Sequence, residues 1–385
     1  MEIMETKIKA IARENGAALV GIASRERLTE APPSADPDYL LPSTQSVISF
    51  AIPLDRRAIR DYLSKKDWLS RGTDQKLIYQ KLYNISDRLV DLLKGRGFEA
   101  RWVHANKSYR PEPGGTDHFS RVEIVPDFSL RYGAVAAGLG MLGWSGNLVT
   151  PQFGAAVYLG AVLTTAKLEP DPLLEESPCE RCKICTTVCP VEMISKRQTV
   201  SVTIAGREYS YAKKDNNARC IIGCGGFHGL GPNKKWSTWS PYRVDYPLPA
   251  DEAELIELSR RLRRADPDRQ DKPAFRTERD FCFDPNETYF DTCGNCGLIC
   301  WEKREERLEN QRLLWNSGVV ALSYQGRRVA VPAGETAEIN TPYVVKVAIL
   351  HHEIKKAPVL VPVAGKSSAA TVTDAQVMSL LGRTL

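Results

Sequence analysis

Cys179-Glu-Arg-Cys182-Lys-Ile-Cys185-Thr-Thr-Val-Cys189-Pro190 decides how this chain is read. The spacing C-x2-C-x2-C-x3-C-P suits 4Fe–4S cubanes: three closely spaced thiolates wrap one cluster, and the fourth, ahead of a proline, reaches a second. A further group follows at Cys293-Gly-Asn-Cys296-Gly-Leu-Ile-Cys300, with Cys220, Cys224 and Cys282 between the two. Each cubane takes four thiolates, and the chain has ten cysteines. Zinc fits less well, because it wants two ligand pairs that close a tetrahedron across a loop. A disulfide framework belongs to small secreted domains, whereas this chain has 385 residues, 43% of them hydrophobic. The spacing therefore predicts two 4Fe–4S clusters and one-electron chemistry.

Length and composition frame that reading. A chain of 385 residues implies two or three domains. The longest apolar stretches, Ala134 to Leu142 and Ala155 to Leu163, are short and glycine-rich, so no membrane partner is expected. The opening Met-Glu-Ile-Met-Glu-Thr-Lys lacks a basic region followed by an apolar one, and a cytoplasmic location is expected. A net charge of +5 is too mild to argue for RNA or any other polyanion.

Three parts are expected. Residues 1–167 alternate helices and strands in an α/β or α+β layered domain. Its elements are a helix over Glu5 to Asn15, strands at Ala18 to Ala23, Ser46 to Ile52, Phe98 to His104, Val122 to Val125 and Ala155 to Thr164, and an amphipathic helix over Gln75 to Lys94 stopped by Gly95. Residues 168–308 are loop-rich and hold every cysteine, with a long insertion that contains Gly223 to Gly231, Trp236, Trp239 and a helix near Asp251 to Arg264. Residues 309–385 form a strand-rich segment, with strands at Val319 to Leu322, Arg327 to Val331 and Val344 to Ile349.

The join of the first two parts carries a resemblance. Asp127-Phe-Ser-Leu-Arg-Tyr-Gly-Ala-Val-Ala-Ala-Gly138-Leu-Gly140-Met-Leu-Gly143, then Asn147-Leu-Val-Thr-Pro and Ala155 to Thr164, lead directly into the cysteine run. This order resembles epoxyqueuosine reductases and reductive dehalogenases, over about Met4 to Lys303. The resemblance implies a nitroreductase-like α/β domain that binds cobalamin base-off, followed by a bacterial ferredoxin-like module. It implies low-potential electrons from an external ferredoxin or flavodoxin, two 4Fe–4S clusters and a corrinoid, used for reductive removal of oxygen, halide or another leaving group. Cysteine-ligated clusters reach down toward roughly −700 mV, low enough to drive such chemistry. The substrate would be a small molecule or nucleoside-like; tRNA is the less favoured partner. A two-cluster electron carrier, or a corrinoid-activating protein, is the alternative.

The chain also departs from those families. The Tyr-His pair that the tRNA enzyme carries near Asp74 and Gln75 is missing, Cys300 is followed by Trp301 rather than Pro, and a strand-rich tail replaces helical repeats.

The crossover rule gives Cys179, Cys182, Cys185 and Cys300 to the first cluster, and Cys189, Cys293 and Cys296 to the second. By resemblance Cys220 completes the second, with Cys282 the alternative; the loser, with Cys224, is an ordinary thiol. Gly138, Leu139, Gly140, Gly143 and Asn147 are the residues implied to meet the corrinoid, through backbone N–H groups that no side chain obstructs. The bland reading of the same glycines is a tight helix–strand packing turn. Asp127 is implied as proton donor, and its competing role is the N-cap of the helix that follows. Tyr132 and Tyr109 are the phenolic alternatives. His104, His118 and His228 are expected in surface or loop roles.

Overall fold

The computed structural model describes residues 4–103, 110, 125–215, 217–244, 246–264, 293–323, 328–331, 346–347, 354–356 and 359–360. Tyr109, His104, His118, Cys282 and nearly all of the strand expected at Val122 to Val125 lie outside them. Helix α1 (Met4–Glu14) leads into β1 (Leu19–Ser24), β2 (Ser46–Pro53), α2 (Arg56–Leu63), α3 (Leu69–Lys94) and β3 (Ala100–Val103). After these come α4 (Leu130–Ala136), the short strands β4 (Met141–Leu142) and β5 (Leu148–Val149), and β6 (Val157–Thr164).

Strands β1, β2, β6 and β3 form one sheet in that order, antiparallel throughout. Strand β2 is buried along nearly its whole length, which is why it reads as an unbroken apolar run rather than an alternation. Its successive side chains still divide between two layers. Ile48, Phe50 and Ile52 join Ile78, Leu82, Ile85 and Leu89 of α3, while Val47 and Ala51 pack with Ala134 and Val135 of α4. The domain is thus helix on both faces of an antiparallel sheet, a mixed helix-and-sheet architecture.

Helix α3 starts six residues before the expected Gln75. Asp67 accepts hydrogen bonds from the Leu69 and Ser70 N–H groups, at 2.8 and 3.3 Å, and so opens the helix. The extra turns bury Arg71 as well as Gly72, which an apolar periodicity does not register. Gly95 keeps right-handed dihedrals; the left-handed residue after the helix is Gly97, at φ +85°.

The cysteine-bearing part is more regular than expected. It contains α5 (Ile184–Thr187), the hairpin β7 (Ile194–Ile204) and β8 (Arg207–Lys214), α6 (Asn217–Cys224), β9 (Tyr242–Arg243), α7 (Glu252–Arg264) and α8 (Asn295–Leu298). Helix α9 (Arg304–Trp315) runs across the boundary expected at 308/309. Strand β10 (Val319–Ser323) pairs with β11 (Arg328–Val331) and with β14 (Val359–Leu360). Strands β12 (Lys346–Val347) and β13 (Ile354–Lys356) pair with one another, and β13 also pairs with β9.

The insertion is pinned to the first domain. Trp236 and Trp239 are buried in the core that α3 builds. Trp239 donates from Nε1 to the Tyr62 carbonyl at 2.8 Å and stacks on Trp68 with ring centroids 6.0 Å apart.

Candidate cluster sites

Cys179, Cys182, Cys185 and Cys300 line one cavity, walled by Trp144, Val149, Ile299 and Arg307. Left-handed dihedrals at Arg181 and Lys183 curl the chain between its cysteines, so that successive sulfurs face the same space. Cys300 arrives from 115 positions downstream of Cys185. It is held by its carbonyl, which accepts from the Ala155 N–H at 2.6 Å. Gly154 makes that approach possible: at φ +59°, an added Cβ would lie 2.1 Å from the Cys300 carbonyl oxygen. Trp301, where the resembling families have proline, is buried under the guanidinium groups of Arg56 and Arg60, 4.8 and 4.9 Å from its ring centroid. Two N–H groups point at sulfurs of this nest: Trp144 N to Cys179 Sγ at 3.3 Å, and Arg307 Nη1 to Cys182 Sγ at 3.5 Å.

A second nest gathers Cys189, Cys220, Cys224, Cys293 and Cys296. Met193 N donates to Cys189 Sγ at 3.4 Å, and Asn147 Nδ2 to Cys296 Sγ at 3.7 Å. Cys220 donates to Cys224 Sγ at 3.7 Å, and Cys293 is hydrogen-bonded to Cys224 as well. Lys214 lies beside it, its charge acting on Cys296, Cys220 and Cys185, while burial lowers its own pKa to about 8.

All nine described cysteines are free thiols. Burial pushes Cys189 up to about 11 and Cys300 up to about 12, and holds Cys185 higher still. Burial also raises Cys296, and the hydrogen bond with Cys224 raises Cys220 and Cys293. Such thiols do not ionise unless a cation supplies the missing charge, and iron does so. The donor chemistry and the grouping therefore fit cubanes: all sulfur, two nests, one crossover thiol in each.

The glycine turn fits its own protein. An added Cβ would lie 2.2 Å from the Pro172 carbonyl oxygen at Gly138, 2.3 Å from that of Val149 at Gly140, and 2.4 Å from Val149 Cγ2 at Gly143. The N–H groups of Gly138, Leu139 and Gly143 already donate to Val135, Ala134 and Asn147 carbonyls. Leu139 is buried with α4 residues, and Asn147 spends its amide on Cys296. The N–H groups of Gly138, Leu139 and Gly143 thus serve helix–strand packing and the cluster wall, the second of the two roles the sequence offered for this turn.

Among the expected acids and bases, Asp127 sits just before α4, its carbonyl accepting from Arg110 Nη2 at 3.0 Å. It is not the helix cap. Ser129 holds that position, with its hydroxyl accepting from the Tyr132 N–H at 3.5 Å. Tyr132 is buried with its hydroxyl 3.3 Å from that of Tyr211, in a polar group that also holds Arg131, whose guanidinium donates to the Gly146 carbonyl. His228 is not a surface residue. It is 3% exposed, accepts from Val244 N at 3.3 Å through Nδ1 and faces the Leu230 carbonyl at 3.0 Å through Nε2. Sequence reasoning missed Arg307, Lys214 and Tyr211, because nothing in a spacing pattern ties them to a sulfur.

Comparison with known proteins agrees with the resemblance. No protein-family model matches the chain. An epoxyqueuosine reductase of Atelocyanobacterium thalassa is 31% identical over 137 residues, 33% of this chain and 45% of that protein. One of Gloeobacter violaceus is 28% identical over 229 residues, covering 56% and 65%. The chain thus spans about half the length of the curated relatives it matches. A solved epoxyqueuosine reductase in complex with a tRNA stem loop aligns over 82% of this chain and 81% of its own, at 16% identity and a TM-score of 0.38. A catabolic reductive dehalogenase aligns over 80% of this chain and 33% of its own, at 15% identity and 0.45. Among the described residues no helix is long and apolar enough to cross a membrane.

Proposed function

We propose that this chain is an oxidoreductase that carries two 4Fe–4S clusters and delivers low-potential electrons to a corrinoid, for reductive removal of a leaving group from a small or nucleoside-like substrate. The observation that carries it is the pair of thiol nests joined by crossover, Cys300 with the first group and Cys189 with the second. The curated relatives, all named epoxyqueuosine reductase, support the corrinoid half of the reading.

In this reading the first nest would hold its cluster through Cys179, Cys182, Cys185 and Cys300, and the second through Cys189, Cys293, Cys296 and a thiol of α6. A bound cluster supplies one-electron storage at low potential. The protein sets that potential through charge and through N–H groups aimed at sulfur. Arg307 and the Trp144 N–H stabilise added negative charge in the first nest; Lys214, Asn147 and the Met193 N–H do so in the second. Ferredoxin-like and nitroreductase-like describe the two modules, and an external ferredoxin or flavodoxin is the expected donor. Asp127 and Tyr132 remain the proposed proton donors; Tyr132 has in Tyr211 the half-buried phenolic partner that a proton relay uses.

The second reading is an electron-transfer or corrinoid-activating protein without substrate chemistry of its own. The occupied N–H groups of the glycine turn favour it. Anaerobic purification, with absorption and EPR spectra recorded before and after addition of cob(II)alamin, separates the two. Cluster signals with a base-off cobalt signal carry the proposal. Cluster signals indifferent to cobalamin carry the second reading, and the absence of cluster signals overturns both.

A further inference from the structure

Hairpin β7–β8 does not pair evenly. Ile194 faces Lys214 and Thr199 faces Ala212, so β7 spends five steps where β8 spends two, and Lys196-Arg197-Gln198 bulges out of the ladder. The Ser195 hydroxyl holds the bulge, accepting from the Arg197 and Gln198 N–H groups at 3.2 and 2.9 Å. Two contacts tie it to the first nest: Trp144 Nε1 donates to the Ser195 carbonyl at 3.0 Å, and Lys183 Nζ to the Lys196 carbonyl at 3.1 Å. An exposed hairpin edge often carries lysine merely to discourage further pairing. This bulge instead fixes its cations beside the cavity of Cys179 and Cys182.

The resulting face is basic and open. Arg181, Lys183, Lys196 and Arg197 are exposed. The charged groups of Arg181 and Lys183 lie 5.9 and 4.3 Å from the centroid of the Trp144 ring, which walls the nest. Glu180 is taken by Arg304 and Arg307, and Glu192 by Lys196, so Arg181, Lys183 and Arg197 have no ion-pair partner among the described residues. Residues 179–214 hold seven Lys or Arg against three Glu, a net +4 in 36 residues of a chain that carries +5 in all. Beneath this face Cys179 and Cys182 are only half-buried, so a donor seated on it comes close to the cluster they would hold. We propose that the face is the docking surface for an acidic one-electron carrier protein, which reduces the first cluster. The inference rests on the two-cluster reading above and specifies where its external donor binds. One electron passes from the reduced carrier to the oxidised cluster; no bond forms or breaks and no proton moves. A small excess of charge suits such a partner, because steering speeds the encounter without making the complex long-lived. Nucleic acid is the weaker occupant, since its binding is built from many Lys and Arg contacts to phosphate.

The test uses the full chain, reconstituted anaerobically, with an acidic 2Fe–2S ferredoxin as the probe. Stopped-flow absorption follows electron exchange, started from whichever partner has the lower potential. Photoreduced deazariboflavin, small and neutral, shows in parallel that the clusters are intact and reducible. In Arg181→Glu/Arg197→Glu the rate constant for exchange with ferredoxin should fall about tenfold or more at low ionic strength. The loss should fade above about 0.5 M salt, where the Debye length is under about 5 Å. Arg57→Glu, on α2 with its side chain 92% exposed, controls for net charge and should exchange at the parental rate. Arg197→Glu alone, which breaks no ion pair, decides the matter should the double variant bind less iron. An unchanged rate in these variants, or an equal loss in Arg57→Glu, overturns the proposal. So does binding of tRNA that the double substitution abolishes while exchange with ferredoxin is untouched, a result that gives the face to nucleic acid. A parent protein without 4Fe–4S signals after deazariboflavin reduction defeats the two-cluster reading itself, an outcome distinct from all of these.

Discussion

Arg307, on the first turn of α9, brings Nη1 to within 3.5 Å of Cys182 Sγ, more than a hundred residues away in the chain. Only 5% of the residue is exposed, and its other contacts fix its direction: Nη2 donates to the Glu302 carbonyl at 3.0 Å, and Nη1 lies 3.2 Å from Glu180. The strand-rich tail is thus not merely appended after the cysteines. The helix that leads into it closes the first nest.

Replacing Arg307 by Gln should make the first cluster harder to reduce. A charge-assisted hydrogen bond is worth about 1.5–3 kcal/mol. If all of it is lost from the reduced state alone, the one-electron potential falls by about 60–130 mV. Redox titration followed by EPR reads the shift, and a potential unchanged within about 20 mV would remove Arg307 from the tuning of the cluster.

Gly143→Ala should damage the first cluster selectively. The new methyl would meet Val149 Cγ2 at 2.4 Å and Cys179 Sγ at 3.4 Å, so the cavity wall must move. Overpacking of this kind costs about 1–3 kcal/mol. Loss of iron restricted to one cluster is the expected result; Gly140→Val, whose Cβ would strike the Val149 carbonyl, should instead lower the stability of the whole domain.

Much of this was legible in the sequence, and the rest was not for physical reasons. Cysteine spacing encodes ligand grouping directly, because three thiolates of the first cubane come from one tight loop and the crossover pattern names the distant fourth. Strands β1, β2 and β6 were readable as apolar runs bounded by turn residues. The hairpin β7–β8 left a signal too, the alternation Thr199-Val-Ser-Val-Thr-Ile204 followed by Ala205-Gly206, both at positive φ as a type I′ turn requires. The role of the glycine turn was not legible, since a backbone packed on Pro172 and one packed on a cofactor demand the same residue. Nor was the fourth ligand of the second nest, because Cys220 and Cys282 both suit it by resemblance, and Cys282 lies outside the described residues.

Ser129→Ala should cost about 1 kcal/mol by loss of the α4 cap. Asp127→Asn should cost little by comparison, because Asp127 does not cap the helix. Chemical denaturation compares the two. If Asp127 is the proton donor, the same substitution reduces turnover about 10²- to 10⁴-fold with both clusters intact.

His228 gives the protein a pH dependence. Burial, then the charge of Arg243, lowers its pKa from 6.5 to about 4, so the folded protein keeps it neutral where the unfolded chain binds a proton. Stability contributed by this site is complete above pH 6.5 and falls as pH drops from 6.5 toward 4, on the order of 3 kcal/mol in all. His228→Gln should flatten the pH dependence of unfolding across that window. A slope identical to the parent's would show that other groups cause it.

The crossover itself is the central claim, and Cys300→Ala tests it most directly. Cys300 lies four positions after Cys296 in the chain, yet the crossover spacing assigns it to the first cluster, and the fold puts it on the cavity of Cys179, Cys182 and Cys185. Iron content and the EPR spectrum of reduced Cys300→Ala should match those of Cys182→Ala, with the first cluster lost and the second retained. A spectrum that matches Cys296→Ala instead, or a parent protein that binds zinc in place of iron, would contradict the account.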